Sequence, residues 1–231
     1  VIAFDRESGK PVYPAISWLD KRNADFAARL AADGCTGSIR DTTGLLPDPY
    51  FSAFKMKWIL DNIPDAADLV MKDRLCLATS DSWLLRQLTG QRRPVTDYAT
   101  ASRTMLLNLR TLEWSPEMLE LFEIPLNALP ELIGNSGDAG DGGTLEKSIL
   151  GAEIPVEGLC VDQQAALFGQ LCLQRGDTKA TFGTGCFVLA NQGTDSFEIT
   201  DGLLSSVGWR TLGSTTYVYD GGIYTAGSLL Q

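Results

Sequence analysis

Segments with helical spacing alternate with short β-rich segments along residues 1–170, and after Gln170 the β-like runs follow one another directly. On a chain of 231 residues that is 44% hydrophobic, this texture predicts an α/β protein with a substantial core. The change of texture predicts two units, one over residues 1–170 and the start of a second over residues 171–231.

Each element has a local reason. "VIAFDRESGKPVYPAISW" reads as a β-hairpin around a Ser8-Gly9 turn. Residues 21–33 place Phe26, Ala27 and Leu30 at helical spacing, and Gly34 is a plausible stop. "PYFSAFKMKWILDNI" reads as a second helix with Phe54, Trp58 and Phe51 on one face. "LCLATSDSWLLRQLTG" reads as strand, cap, helix and glycine stop, with Ser80 or Asp81 as the cap. "TDYATASRTMLLNLRTLEW" is polar and then β-like, and Ser115-Pro116 opens a short helix. "GDAGDGG", from Gly137 to Gly143, is a loop; its two carboxylates would repel a phosphate, and no Gly-Lys-Ser/Thr follows. "IPVEGLC" reads as a strand feeding a helix capped by Asp162, with residues 165–168 as its buried face. "TKATFGTGCFVLAN", "GLLSSVGWR" and "STTYVYDGGIY" together suggest a β-meander. The chain opens inside a strand-like run without an initiator Met and stops at a helical first turn, which predicts a central piece of a longer protein.

Composition removes several functions. A formal net charge of −10 disfavours nucleic acid and anionic membrane surfaces, both of which call for clustered Lys and Arg. With no histidine, Ser-His-Asp catalysis, Cys-His catalysis and His-containing zinc sites are excluded within this chain, and no residue set suggests a metal site. Acid–base chemistry must then use carboxylates, Lys, Tyr or Cys. The five cysteines form no C-x-x-C pair and read as reduced thiols used as small hydrophobes, which points to the cytoplasm. No signal peptide or bilayer-length apolar run is visible. Oligomeric state is left open, a homo-oligomer included.

A few stretches carry chemistry as well as structure. In "VDQQAALFGQ", Asp162 reads most simply as a helix cap, with Gln163 and Gln164 beside it. "FGTGCF" reads as a hairpin turn; alternatively its N–H groups and the Thr184 hydroxyl approach an anion, with Gly185 permitting the close contact. "DGGIYTAGSLLQ" repeats that ambiguity at a helix entry near Ala226 and Gly227. Trp18 and Tyr50 read as packing aromatics beside helix starts, although Pro47 and Pro49 make a stiff connector that could hold Tyr50 in a cleft.

Taken together, "TGLLPDPY", "YFSAFKMKWILDN", "TDYATASRTMLLNLRTLEW", "DQQAALFGQLC" and "TFGTGCFVLAN", in that order over nearly the whole chain, resemble the FGGY carbohydrate kinases, and within that family its glycerol kinases. The resemblance implies a ribonuclease-H-like, two-lobed fold of the actin and hexokinase superfamily, and the transfer of phosphate from ATP with Mg²⁺ to glycerol. It implies that Asp162 is the catalytic base. It further implies that Trp18, Tyr50, Asp162, Gln163 and Phe187 contact the polyol, and that Thr184, Gly185, Gly227 and Gln231 contact the nucleotide. The family's glycine-rich phosphate loop and its Arg-Glu pair match nothing in this sequence, so the fragment alone is expected to be inactive. Leu19 stands where Gln is common, and Val161 where Gly is usual. Another small polyol or ketose as substrate, or a non-catalytic sensor of the same fold, therefore stays open.

Overall fold

A computed structural model describes residues 1–136, 142–183, 185–194, 197–223 and 226–227. The expected loop from Gly137 to Gly143 lies mostly outside the described residues, as do Thr184 and Gln231. The α/β expectation holds, since helices and strands alternate along the first part of the chain and four strands follow α9 among the described residues.

The chain begins with β1 (Ile2–Asp5), whose expected hairpin partner does not become a strand. Asp5 N–H donates to Lys10 O and Val12 N–H to Ala3 O, but the only bridge is Phe4 with Pro11. Pro11 and Pro14 lack the N–H that a continued ladder needs. Next come α1 (Ala24–Ala32), burying Ala27 and Leu30, and α2 (Thr36–Thr43), burying Ile39. Helix α2 has no counterpart among the expected elements, because its polar composition leaves almost no apolar stripe. Helix α3 (Ser52–Asn62) buries Phe54, Met56 and Ile59, with Phe51 at its N-cap, while Trp58 is only half-buried. Helix α4 (Pro64–Met71), also unforeseen, starts on Pro64.

Strand β2 (Leu75–Ala78) pairs antiparallel with β1 and leads into α5 (Ser80–Thr89), which Gly90 ends. The N-cap of α5 is Thr79, not Ser80 or Asp81. The Asp81 carboxylate, one position inside the helix, accepts from the Thr79 and Thr96 hydroxyls. Strand β3 (Val95–Asp97) passes into α6 (Tyr98–Ser102), where Asp97 caps by accepting from Thr100 N–H at 2.9 Å. The "polar" part of that segment is thus a buried helix: the Ser102 and Thr104 hydroxyls donate to the Ala99 and Ala101 carbonyls, and the Thr100 hydroxyl to Asp97 Oδ2. Strands β4 (Leu107–Asn108) and β5 (Glu113–Trp114) form a short antiparallel pair before α7 (Pro116–Phe122), whose N-cap Ser115 accepts from Met118 N–H. Strand β6 (Glu131–Ile133) lies parallel to β3. Strand β7 (Thr144–Leu145), helix α8 (Lys147–Leu150) and strand β8 (Ile154–Pro155) precede α9 (Asp162–Gly169). "IPVEGLC" is therefore a strand only at its first residues.

The last strands are β9 (Thr178–Phe182), β10 (Cys186–Gly193), β11 (Leu204–Thr211) and β12 (Ser214–Ile223). They form one antiparallel sheet in the order β11-β12-β10-β9, which corrects the meander expectation. The β11–β12 hairpin folds back so that β12 lies against β10 and β11 becomes an edge. That edge is covered: Val207 N–H donates to Ser102 Oγ, and α6 packs on β11.

The main core gathers around α3 and α7, where Phe54 and Phe122 meet edge to face at 5.0 Å and Phe26 closes on both. Gly44 ends α2 at φ 72°, and its carbonyl accepts from Ser205 N–H at 2.9 Å. A Cβ there would lie 2.3 Å from the Ser205 carbonyl oxygen, so only glycine allows the approach. Among the described residues no helix is long and apolar enough to cross a membrane. Cys76 and Cys172 are buried but Cys160 is exposed, so the cysteines are not uniformly small core residues.

Candidate active site

The stretch Pro47–Tyr50 is fixed from two sides. Asp48 Oδ1 accepts from Tyr50 N–H at 2.7 Å, making an Asx turn. From α3, the Lys55 ammonium donates to the Pro49 and Tyr50 carbonyls. Lys55 is 1% exposed, and burial lowers its pKa to about 8 despite the favourable charges of Asp20 and Asp48. Tyr50 is thereby turned towards Trp18, their rings meeting edge-on at 5.5 Å. Phe187, at the start of β10, also meets Trp18 edge-on, at 6.3 Å. Three of the expected polyol residues, distant in sequence, thus make one aromatic wall. A cavity of about 430 Å³ opens beside it, lined in part by Ser17, Trp18, Tyr50, Lys55 and Thr79.

Arg103 lies beneath that wall, its guanidinium 6.0 Å from the Tyr50 ring centre and 5.3 Å from that of Phe51. It forms an ion pair with Asp220 of β12 at 2.7 Å, both side chains largely buried. Burial raises the Tyr50 pKa, while the Arg103 charge opposes that shift.

The acid expected to be the base arrives on α9. Asn135 delivers this segment: its side chain donates to Asp97 Oδ1 at 2.6 Å and to Leu159 O at 2.8 Å, and accepts from Arg210 N–H at 2.8 Å. One buried amide therefore ties α6, β11 and the approach to α9 together. The N-cap of α9 is Val161 and makes no side-chain cap bond, so Asp162 is the first helical residue and not the cap. Its charge still favours the helix N-terminus. The expected buried face also needs correcting: Gln164 and Leu167 are buried while Phe168 is exposed, because four consecutive residues cannot share one side of a helix.

Asp162 Oδ2 accepts from Gln163 Nε2 at 2.9 Å. Gln163 Oε1 in turn accepts from the Lys179 ammonium at 2.5 Å, which also donates to Thr181 Oγ1 at 2.7 Å. Lys179 is 3% exposed; burial lowers its pKa, opposed by the charges of Asp162 and Asp220. The Asp162 charge also acts on Tyr50, which relates the acid to the aromatic wall.

Of the residues expected at the nucleotide, Gly185 and Gly227 are described. Gly227 N–H donates to Gly183 O at 3.1 Å, so the two glycine-bearing turns touch. A Cβ on Gly185 would fall 2.8 Å from Ile223 O and 2.9 Å from the Phe187 ring. The hairpin reading of "FGTGCF" holds, since β9 and β10 pair directly across it. Thr184, Gln231 and the expected helix beyond Gly227 lie outside the described residues.

Sequence reasoning missed Arg103, Lys179 and Asp220. A signal existed for Lys179. In the alternation of β9 it shares a face with Thr181, between the exposed Thr178 and Ala180, so a cation there had to face inwards and find partners.

A model of the FGGY family of carbohydrate kinases, N-terminal domain, matches residues 1–169. A glycerol kinase 1 from Pseudomonas aeruginosa is 45% identical over 230 residues, covering 100% of this chain and 46% of that protein. The crystal structure of a Plasmodium falciparum glycerol kinase with ADP superposes with a TM-score of 0.91 at 33% identity, over 99% of this chain and 46% of that one. A xylulose kinase from Rhodospirillum rubrum shares the fold at a TM-score of 0.81 and 21% identity, over 99% of this chain and 45% of that one. The ribonuclease-H-like, two-lobed fold class expected from the motifs is the one these structures have. The chain spans about half the length of the relatives it matches.

Proposed function

The chain belongs to the FGGY family of carbohydrate kinases, and from that premise we propose that the whole protein phosphorylates glycerol to glycerol 3-phosphate with ATP. The observation that carries this reading is the aromatic wall of Trp18, Tyr50 and Phe187, with Tyr50 within reach of the charge of Asp162, itself bonded to Gln163. Rings suit the C–H edges of a small polyol, and the polar pair suits its hydroxyls.

In this reading Asp162 accepts the proton of the hydroxyl that attacks the γ-phosphoryl group. Phosphoryl transfer is largely dissociative, so the base acts late and its position matters more than its strength. Gln163 donates to a neighbouring hydroxyl. Thr184, Gly185, Gly227 and Gln231 border the nucleotide. The crowding at Gly185 and the Gly227–Gly183 contact support a tight turn where only backbone approaches an anion. Among the described residues no cluster of acidic, cysteine or histidine side chains could cage a divalent ion. In this reading Mg²⁺ would be held mainly by the phosphates, waters and a carboxylate outside this sequence, supplying charge neutralisation. Residues 1–170 would form the polyol side and residues 171–231 begin the nucleotide side. We place the reaction in the cytoplasm, with neither nucleic acid nor membrane as partner, a reading that rests on the acidic charge and unpaired thiols.

The test is ADP release by the full-length protein with glycerol, dihydroxyacetone, erythritol, xylulose or no acceptor. Glycerol should stimulate release, and Asp162→Asn should reduce it by at least about a thousandfold, the upper part of the range for general-base loss. Stimulation by xylulose alone would move the assignment to a ketose kinase and put the blame on the surroundings of Leu19 and Val161. Saturable binding without turnover would make the protein a sensor.

A further inference from the structure

We propose that Lys179 is a positioning residue that fixes the Gln163 amide in one orientation and, through it, the Asp162 carboxylate; the inference rests on the reading of Asp162 as the base. Two hydrogen bonds carry it: Lys179 Nζ to Gln163 Oε1 at 2.5 Å, and Gln163 Nε2 to Asp162 Oδ2 at 2.9 Å.

The orientation of a glutamine amide is decided by what its two ends face. An ammonium group only donates, and an ionised carboxylate only accepts. With Lys179 on one side and Asp162 on the other, one orientation makes two charge-assisted hydrogen bonds. The flipped amide would set an N–H against the ammonium and an oxygen against the carboxylate, repulsive at both ends. Lys179 cannot easily turn away, because it is buried on β9 and its second bond to Thr181 Oγ1 holds the ammonium in place. The strand bearing Lys179 pairs directly with β10, which bears Phe187, so the anchor of the amide and part of the aromatic wall belong to one rigid sheet.

The consequences concern the substrate. Gln163 Nε2 has two hydrogens; one is committed to Asp162 Oδ2, and the other remains for a substrate oxygen. With Oε1 held towards Lys179, the remaining Nε2 hydrogen is what Gln163 offers a neighbouring hydroxyl, which it thereby reads as an acceptor. Asp162 Oδ1 is then the oxygen left to receive the proton. The ammonium does not touch substrate; it sets the direction of a group that does.

A double-mutant cycle in the full-length protein tests this, using Lys179→Met, Gln163→Ala and the pair. Lys179→Met should lower kcat for glycerol about 10- to 100-fold, the scale of a misplacement near 1 Å. In the Gln163→Ala background the same change should matter less than about threefold, because its route is already cut. Equal losses in both backgrounds would overturn the proposal. Lys179→Arg, which keeps a donor, should recover most of the activity; an Arg variant as impaired as Met would also overturn it. A second readout needs no turnover: the ¹⁵N side-chain amide signal of Gln163, assigned by its loss in Gln163→Ala. That signal should shift and broaden in Lys179→Met, and an unchanged signal would refute the network. If wild-type protein phosphorylates no polyol, the kinase reading fails while this signal still decides whether Lys179 holds Gln163. Should Lys179→Met not fold, Lys179→Arg and the wild-type signal, required to be sharp and slow to exchange, carry the decision.

Discussion

The core around α3 and α7 and the seam joining α6, α9, β9 and β12 are held by opposite means. In the first, Phe26, Phe54 and Phe122 meet edge to face, and the contact works through volume and shape. In the second, Arg103, Asp220, Lys179 and Asp162 alternate in sign, with Gln163 and Asn135 between them and their neighbours. Apolar packing decides where elements sit but is indifferent to small rotations. Hydrogen-bonded charges fix which atom points where, at the expense of desolvation. The candidate catalytic groups lie in the seam, and the core supplies the platform that carries Tyr50 on the N-terminal side of α3.

The contrast can be broken in three ways. The largest effect belongs to Phe54→Ala, which should destabilise by about 3–5 kcal/mol in chemical denaturation, whereas Phe54→Leu should lose much less. Asp220→Ala should cost about 3 kcal/mol by removing the anion opposite buried Arg103, but here an apolar replacement of both partners, Arg103→Met with Asp220→Leu, should regain most of it. Such recovery, seen at the denaturation midpoint, would separate stability from direction, because Tyr50 would be left without its cationic neighbour and glycerol KM should stay high. A smaller effect depends on pH. Burial raises the Asp97 pKa from 3.8 to about 6, with its hydrogen bonds to Thr100 and Asn135 opposing. Between those values the folded state binds more protons than the unfolded one, so this group's stabilisation is present below about 4 and lost as pH rises through about 6. Asp97→Asn should flatten that slope, and the aromatic-core variants should leave it intact. A slope unchanged in Asp97→Asn would mean that another carboxyl group produces it.

The two regions were unequally legible. Helical spacing of Phe54 with its neighbours, the Ser115-Pro116 start and the Gly90 stop are short-range signals, and the structure contains those elements. Polar short helices such as α2 gave little periodicity to read. The return arm after Ser8-Gly9 looked β-like in composition, but two prolines withheld the necessary donors. Asp162 has the residue type of a cap and stands one position too late to be one. Trp18, Tyr50 and Phe187 were recognisable through motifs, whereas the cations that organise them were not. Arg103 and Lys179 each take a partner 16 or more residues away, and only the inward register of Lys179 in β9 is local.

The cover over the edge of β11 has a consequence for how the chain comes to be made. Ser102 Oγ waits for Val207 N–H, 105 residues later, and Leu109 O waits for the Tyr217 hydroxyl, 108 residues later. At roughly 5–20 residues per second on a ribosome, α6 emerges about 5–20 s before the strand that completes its burial. During that interval the face that will meet Val207 and Tyr217 is open to other nascent chains.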